Sequence, residues 1–326
     1  MAMPRSRTPV RATKAVKTGC SGCWIMSQMS SRTSTTTPPR GDALLGIGFV
    51  LLWCTGYIAG KAVVAHAAPL TSLTFRFGIA ALLFGVLSLA ARVPRCRRAE
   101  LWHSAVTGVL MLALHFGAVY VAFRMGANAG VSALVIGAMP LLVAVVATLD
   151  GSERLGLWRW FGMGLGLLGV VLVVADRVDG ATPLPAWGML LLGLVGITAG
   201  TLYQKRHAAQ LDMRLALTIQ NGAAALVLLP FALGEGFHFD NTLAFYWPLG
   251  WLVLVNSVGG FALLFLLIQR GAATQVAALF FLMPPVTAVF GHFTLGEHLT
   301  WLKGAGFACA AFGVWLATRR QATQDR

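Results

Sequence analysis

Between residues 43 and 318 the chain is written in apolar blocks of about 20 residues, with charged residues gathered in the links between them. A helix of that length matches the roughly 30 Å hydrocarbon core of a bilayer. The blocks predict helices over 43–65, 71–91, 104–124, 130–149, 157–176, 186–204, 214–233, 247–268, 273–293 and 301–318, ten in all. Basic links (Arg92 to Arg98, Lys205-Arg206 with Arg214, Arg270, Arg319-Arg320) alternate with acidic ones (Asp176/Asp179, Glu235/Asp240, Glu297). Cytoplasmic loops carry the excess of Lys and Arg, so the alternation puts both termini in the cytosol.

The pattern is written twice. Gly126-Ala127, Val131-Ser132-Ala133-Leu134 and Pro140 recur 145 residues later as Gly271-Ala272, Val276-Ala277-Ala278-Leu279 and Pro285. Glu153, Gly162 and Gly169 recur 144 residues later as Glu297, Gly306 and Gly313. The offset of 144 also holds upstream, relating Gly56 and Lys61 to Gly200 and Lys205, and Leu73-Thr74 to Leu217-Thr218. A register kept this far marks two homologous units, 42–178 and 185–318, of five helices each. Five is odd, so the second unit enters the membrane upside down, a plan that recurs in secondary transporters. The predicted fold is an all-α membrane protein with ten transmembrane helices in two inverted five-helix repeats.

Composition supports the bilayer. Hydrophobic residues make up 57%, charged residues 11%, and the mean hydropathy is +0.74, against about 25% charged in soluble domains. The net charge of +14 does not point to nucleic acid, because 20 of the 25 Lys and Arg fall on the predicted cytoplasmic side. Of five cysteines, only Cys20 and Cys23 have metal-like spacing, and one such pair in a polar segment makes neither a metal site nor a redox motif. No metal or other cofactor is expected. Residues 1–41 are basic and rich in Ser and Thr, and read as a disordered cytosolic tail or as sequence ahead of a true start at Met26 or Met29. A transit peptide is the competing reading. Residues 319–326 form a second cytosolic tail.

Each half resembles one EamA-type repeat of the drug/metabolite transporter superfamily. The resemblance rests on Leu51-Leu52-Trp53-Cys54-Thr55-Gly56 with Lys61, on Ala68-Pro69 leading to Arg76, and on the closing proline, glutamate and paired glycines. It covers about 43–318 and implies a helix bundle around a central cavity, with small metabolites moved by alternating access. The halves have diverged: Gln220 stands where the first has Arg76, and Ile197 where it has Trp53. An asymmetric cavity follows.

Candidate cavity residues are the polar and aromatic groups at membrane depth. Trp53, Tyr57 and Lys61 form one stripe on the first helix, with Gly56 and Gly60 on the next face. Lys61 and Arg76 are basic residues well inside spans, and an intramembrane charge is a functional-site hypothesis by default. Snorkelling is the competing reading for both, and Arg76 has Glu297 or helix carbonyls as possible partners. His115, five residues before Tyr120, is deeply placed and titrates near neutrality when unperturbed. Tyr203, Asn221, Asn256 and Gln275 must each face protein or a water-filled cavity, since an unpaired buried amide costs about 2–7 kcal/mol; interhelical glue is the alternative. Pro140 and Pro285 predict paired hinges. Glu153 and Glu297 are expected to cap the helices that follow them. Gly162 and Gly306 belong to small-residue packing.

No acidic residue lies mid-membrane, so proton coupling would have to use His115, Glu153 or Glu297, or be absent. No nucleotide-binding loop, His-Glu-x2-His or serine-protease-like site occurs, which argues against ATP drive and against an enzyme. The expected activity is secondary transport of a small polar or amphipathic metabolite, an amino acid or related compound, outward across a bacterial inner membrane. Drug or nucleotide-sugar exchange, and a non-transporting sensor or scaffold, are the alternatives. The expected partners are the lipid bilayer and a small-molecule substrate, with a homodimer open.

Overall fold

The computed structural model describes residues 40–93, 96–149, 156–175, 182–207, 211–260, 263, 266 and 283–318. These residues are helical apart from their links and one isolated β-bridge, Ala67 to Phe239. The helices are α1 (Arg40–Val63), α2 (Pro69–Ala90), α3 (Arg98–Arg124), α4 (Ala129–Gly137), α5 (Met139–Leu149) and α6 (Leu157–Ala175). Then follow α7 (Leu184–His207), α8 (Met213–Gly234), α9 (Leu243–Gly260), α10 (Met283–Leu295) and α11 (Trp301–Thr318).

Among the described residues, six helices are long and apolar enough to cross a membrane: α1, α2, α3, α7, α8 and α9. The span expected over 130–149 is two helices. Pro140 lacks an N–H and its ring crowds the preceding turn, so α4 stops at Gly137 and α5 restarts with Leu141 and Leu142 bonding to Ala138 O. Of the span expected over 273–293, the described part begins at Met283, with Pro285 in the first turn of α10. Large apolar side chains cover the outside, for instance Leu82, Leu89 and Leu226, as a lipid-facing surface requires.

The repeat shows itself in the packing. α2 lies against its mate α8, with Ser88 and Gly85 beside Thr218, Ala81 beside Gly222 and Leu70 beside Glu235. α4 lies against α10, which belongs to the repeat-related span and corresponds to α5, pairing Gly130 with Ala288 and Gly137 with Pro284. α6 lies against its mate α11, where Gly313 meets Gly162 and Gly166, and Gly306 meets Gly169 and Val173. In all three pairs the numbers rise along one helix as they fall along the other, so repeat-related spans run antiparallel. At the α6–α11 seam a Cβ on Gly169 would sit 2.5 Å from Gly306 O. Only bare backbones fit there, and such contacts hold helices together where lipid supplies no hydrophobic drive.

Two π-helical turns complete the scaffold: Val109–Leu114 in α3 and Leu252–Gly260 in α9. They occupy repeat-related positions. Each extra residue widens the helix locally and re-aims the side chains around it.

Candidate functional site

The polar groups placed at membrane depth gather around the second half of α1. Gly56 and Gly60 form the face that meets neighbours. Above Gly56 sits the Asn256 amide from the π-turn of α9, 2.7 Å from where a Cβ would be. Above Gly60 sits the Tyr120 phenol from α3, 3.0 Å from the same point. One residue on, Lys61 Nζ donates to Glu297 Oε1 at 2.6 Å.

Glu297 does more than pair with a lysine. The same oxygen accepts the Ala129 N–H at 2.8 Å, in the first turn of α4. Its other oxygen lies over Gly291, where a Cβ would be 2.6 Å away. The expectation that Glu297 caps the following helix is therefore corrected. It caps α4 of the other half, while α11 is capped by Thr300, whose hydroxyl accepts from Lys303 N. A carboxylate suits a helix N-terminus because its unsatisfied N–H groups carry partial positive charge.

Arg76 does not reach Glu297. Its Nη1 donates to the Tyr120 hydroxyl at 3.1 Å, and the guanidinium lies over the Phe116 ring at 4.6 Å and near Phe77 at 5.5 Å. His115 is buried, and its Nδ1 is 2.9 Å from Gly193 O of α7. A carbonyl can only accept, so Nδ1 carries the proton and Nε2 is left as an acceptor. Asn256 Nδ2 donates to Leu52 O at 3.0 Å, while its Oδ1 has no partner among the described residues.

Other candidates stand apart. Tyr203 lies at the opposite end of the bundle, bonded to His103 Nδ1 at 2.8 Å and stacked on His207. Asn221 bonds to Leu217 O of its own helix. Trp53 packs on Phe49 and against Gly260, and Tyr57 packs against the main core. Pro140 and Pro285 lie at the start of α5 and α10, and Gly162 and Gly306 in the α6–α11 seam. Gln275 and Glu153 fall outside the described residues.

Sequence reasoning missed a clasp between the halves. The 64–68 and 235–242 links join through Ala68 N to His238 O (2.9 Å) and Asp240 N to His66 O (2.8 Å). His66 Nδ1 and His238 Nε2 flank the Asp240 carboxylate at 3.1 and 3.8 Å, and Glu235 caps α2 through Leu70 N. The clasp residues themselves line a cleft of about 570 Å³, together with Pro69, Val121 and Arg124 among others. His66 and His238-x-Asp240 were visible as residues, but nothing in the chain says that these two links pair.

Comparison with known proteins agrees with this architecture. The EamA-like transporter family profile matches twice, over residues 41–175 and 186–319. The chain is 24% identical to the uncharacterised transporter YvbV of Bacillus subtilis, over 88% of this chain and 94% of that one. It is 26% identical to the uncharacterised inner membrane transporter YedA of Escherichia coli K12, over 84% and 90%. It is 24% identical to a probable amino-acid metabolite efflux pump of Salmonella typhimurium, over 85% and 94%. One solved crystal structure shares the fold with a TM-score of 0.61 at 18% identity, covering 85% of this chain and 97% of its own. The chain belongs to the EamA-like transporter family, and is a multi-pass membrane protein.

Proposed function

We propose that this EamA-like transporter is a secondary exporter of a small polar metabolite, an amino acid or related compound, working by alternating access. The observation that carries the proposal is the polar column around α1: Arg76, Tyr120 and Asn256 stand inside an apolar bundle, with the Lys61–Glu297 pair at the end of the column. Charges and unpaired amides at that depth are costly and collect along substrate paths. Similarity to an amino-acid metabolite efflux pump supports the substrate class.

The proposed architecture is ten helices in two inverted five-helix units, supported by the antiparallel packing of the three repeat-related pairs. Arg97, Arg98, Arg206 and Arg214 lie at the Tyr203 end, whereas Glu235, Asp240 and Glu297 lie at the other. By the positive-inside rule the Tyr203 end faces the cytosol, together with both termini, and the Glu297 end faces outward in a bacterial inner membrane. The Lys61–Glu297 pair then closes the outer end, tying α1 to α4 and the α10–α11 link. Export follows when this closure opens with substrate bound and the opposite end shuts.

The test is purified protein in liposomes, loaded with a labelled panel of amino acids and related metabolites, with and without a pH gradient. Selective flux of panel members is expected. Movement of drugs or nucleotide sugars alone would replace the substrate class, and no flux of any compound would favour a sensor or scaffold.

A further inference from the structure

We infer that Arg76 is the anchor for a carboxylate on the transported molecule. The inference rests on the transporter reading above and sharpens its substrate class.

Arg76 is 7% exposed, yet among the described residues no carboxylate reaches it. Among the described residues its hydrogen-bond partner is a neutral phenol, its guanidinium lies by the Phe116 and Phe77 rings, and its buried Nε has no partner. A guanidinium always carries its charge and presents five donors in a planar fork. Aromatic faces offset part of the desolvation of such a cation, but a buried charge is ordinarily held by an opposite one.

The nearby acids are already engaged. Glu297 holds Lys61 and the α4 N-terminus. Glu235 caps α2, and Asp240 lies between His66 and His238. The missing anion is therefore one the cargo can supply. A carboxylate matches the guanidinium fork and would reach Nε and one Nη together, displacing the Tyr120 hydroxyl.

A cleft opens on the two helices that hold Arg76 and Tyr120, lined by Pro69 of α2 and by Val121 and Arg124 of α3. Pro69 precedes Arg76 by two helical turns, about 10 Å, and Val121 follows Tyr120 directly. Gln220, the repeat-related residue, is equally buried and uncharged, so the anion site belongs to one half only.

The decisive experiment uses wild-type protein in liposomes moving labelled L-leucine, L-threonine and L-phenylalanine. Each flux is competed with the unlabelled carboxamide of the same amino acid, which keeps the amine, and with its deaminated acid, which keeps the carboxylate. The deaminated acid should compete at least about tenfold better than the carboxamide. Arg76→Lys should keep that preference with weaker transport, and Arg76→Gln should abolish it. Equal competition by both analogues overturns the inference while leaving the transporter reading intact, as does an Arg76→Gln protein with the wild-type preference. No flux of any of the three overturns the amino-acid reading, and the inference with it.

Discussion

The crossing of α1 over α9 and the crossing of α7 over α3 are the same contact built twice. Gly196 and Gly200 both meet the π-turn of α3, whereas Gly56 meets the π-turn of α9 and Gly60 meets Tyr120 of α3. What fills the contact differs. At α7–α3 the contact is backbone and apolar side chain: the Cβ absent from Gly196 would lie 3.1 Å from His115 N and Leu110 O, Gly200 faces the Met111 side chain, and His115 closes the seam by bonding Gly193 O. At α1–α9 and α1–α3 the glycines instead receive polar side chains, the Asn256 amide and the Tyr120 phenol. One crossing is apolar. The other keeps an orphaned amide oxygen and adjoins an ion pair and an under-paired arginine. Duplication thus fixes where helices meet, and divergence decides which meeting point carries chemistry.

The largest expected effect comes from placing one methyl in each crossing. Gly196→Ala presses on backbone atoms that cannot rotate away, and should cost about 1–3 kcal/mol with a lower melting temperature in detergent. Gly56→Ala meets only the end of the Asn256 side chain, which can swing, so its stability loss should be smaller while flux falls. Equal losses at both sites would erase the distinction drawn between the crossings.

Next in size is Glu297→Gln. It removes the charge facing Lys61 and weakens the cap on α4, while the carbonyl of Gln can still accept from Ala129 N. The Lys61 and Glu297 side chains are 22% and 9% exposed. That places the pair between surface pairs of up to about 1 kcal/mol and fully buried ones of 3–5. A loss of about 2 kcal/mol is expected, with Lys61→Gln showing a similar loss and the double variant less than the sum. Additive losses in that cycle would mean that the two side chains do not act as a pair.

Much of this was legible in the chain. The 144–145 residue register identified the mates, and the odd helix number implied their antiparallel sense, because glycines at backbone contacts and prolines at helix breaks resist replacement. The helix faces followed too: Gly56 and Gly60 face neighbouring helices, and Gly162 and Gly306 lie in a packed seam. Partners were less legible. Glu297 had Arg76 as a sequence-level partner, yet it took Lys61, 236 positions away, since only the packed bundle decides which cation a carboxylate reaches. The π-turns left no trace in hydrophobic periodicity, because an apolar run reads the same whether a helix turns in 3.6 or more residues.

The smallest effect on stability, and the sharpest test of the comparison, is Asn256→Leu. The repeat-related position in α3 is occupied by Met111-Leu112, so the change restores apolar symmetry between the π-turns. If Asn256 were interhelical glue, its bond to Leu52 O would be lost at about 0.6–1.7 kcal/mol, the range measured for such bonds in membranes. Its carbonyl oxygen, however, is buried without a partner among the described residues, and replacing a half-satisfied amide by an apolar group of similar size can be neutral. Stability should therefore stay within about 0.5 kcal/mol of wild type while the affinity for substrate in the liposome assay falls. A clear loss of stability with unchanged transport would return Asn256 to the scaffold, and would leave the α1–α9 crossing no more functional than its twin.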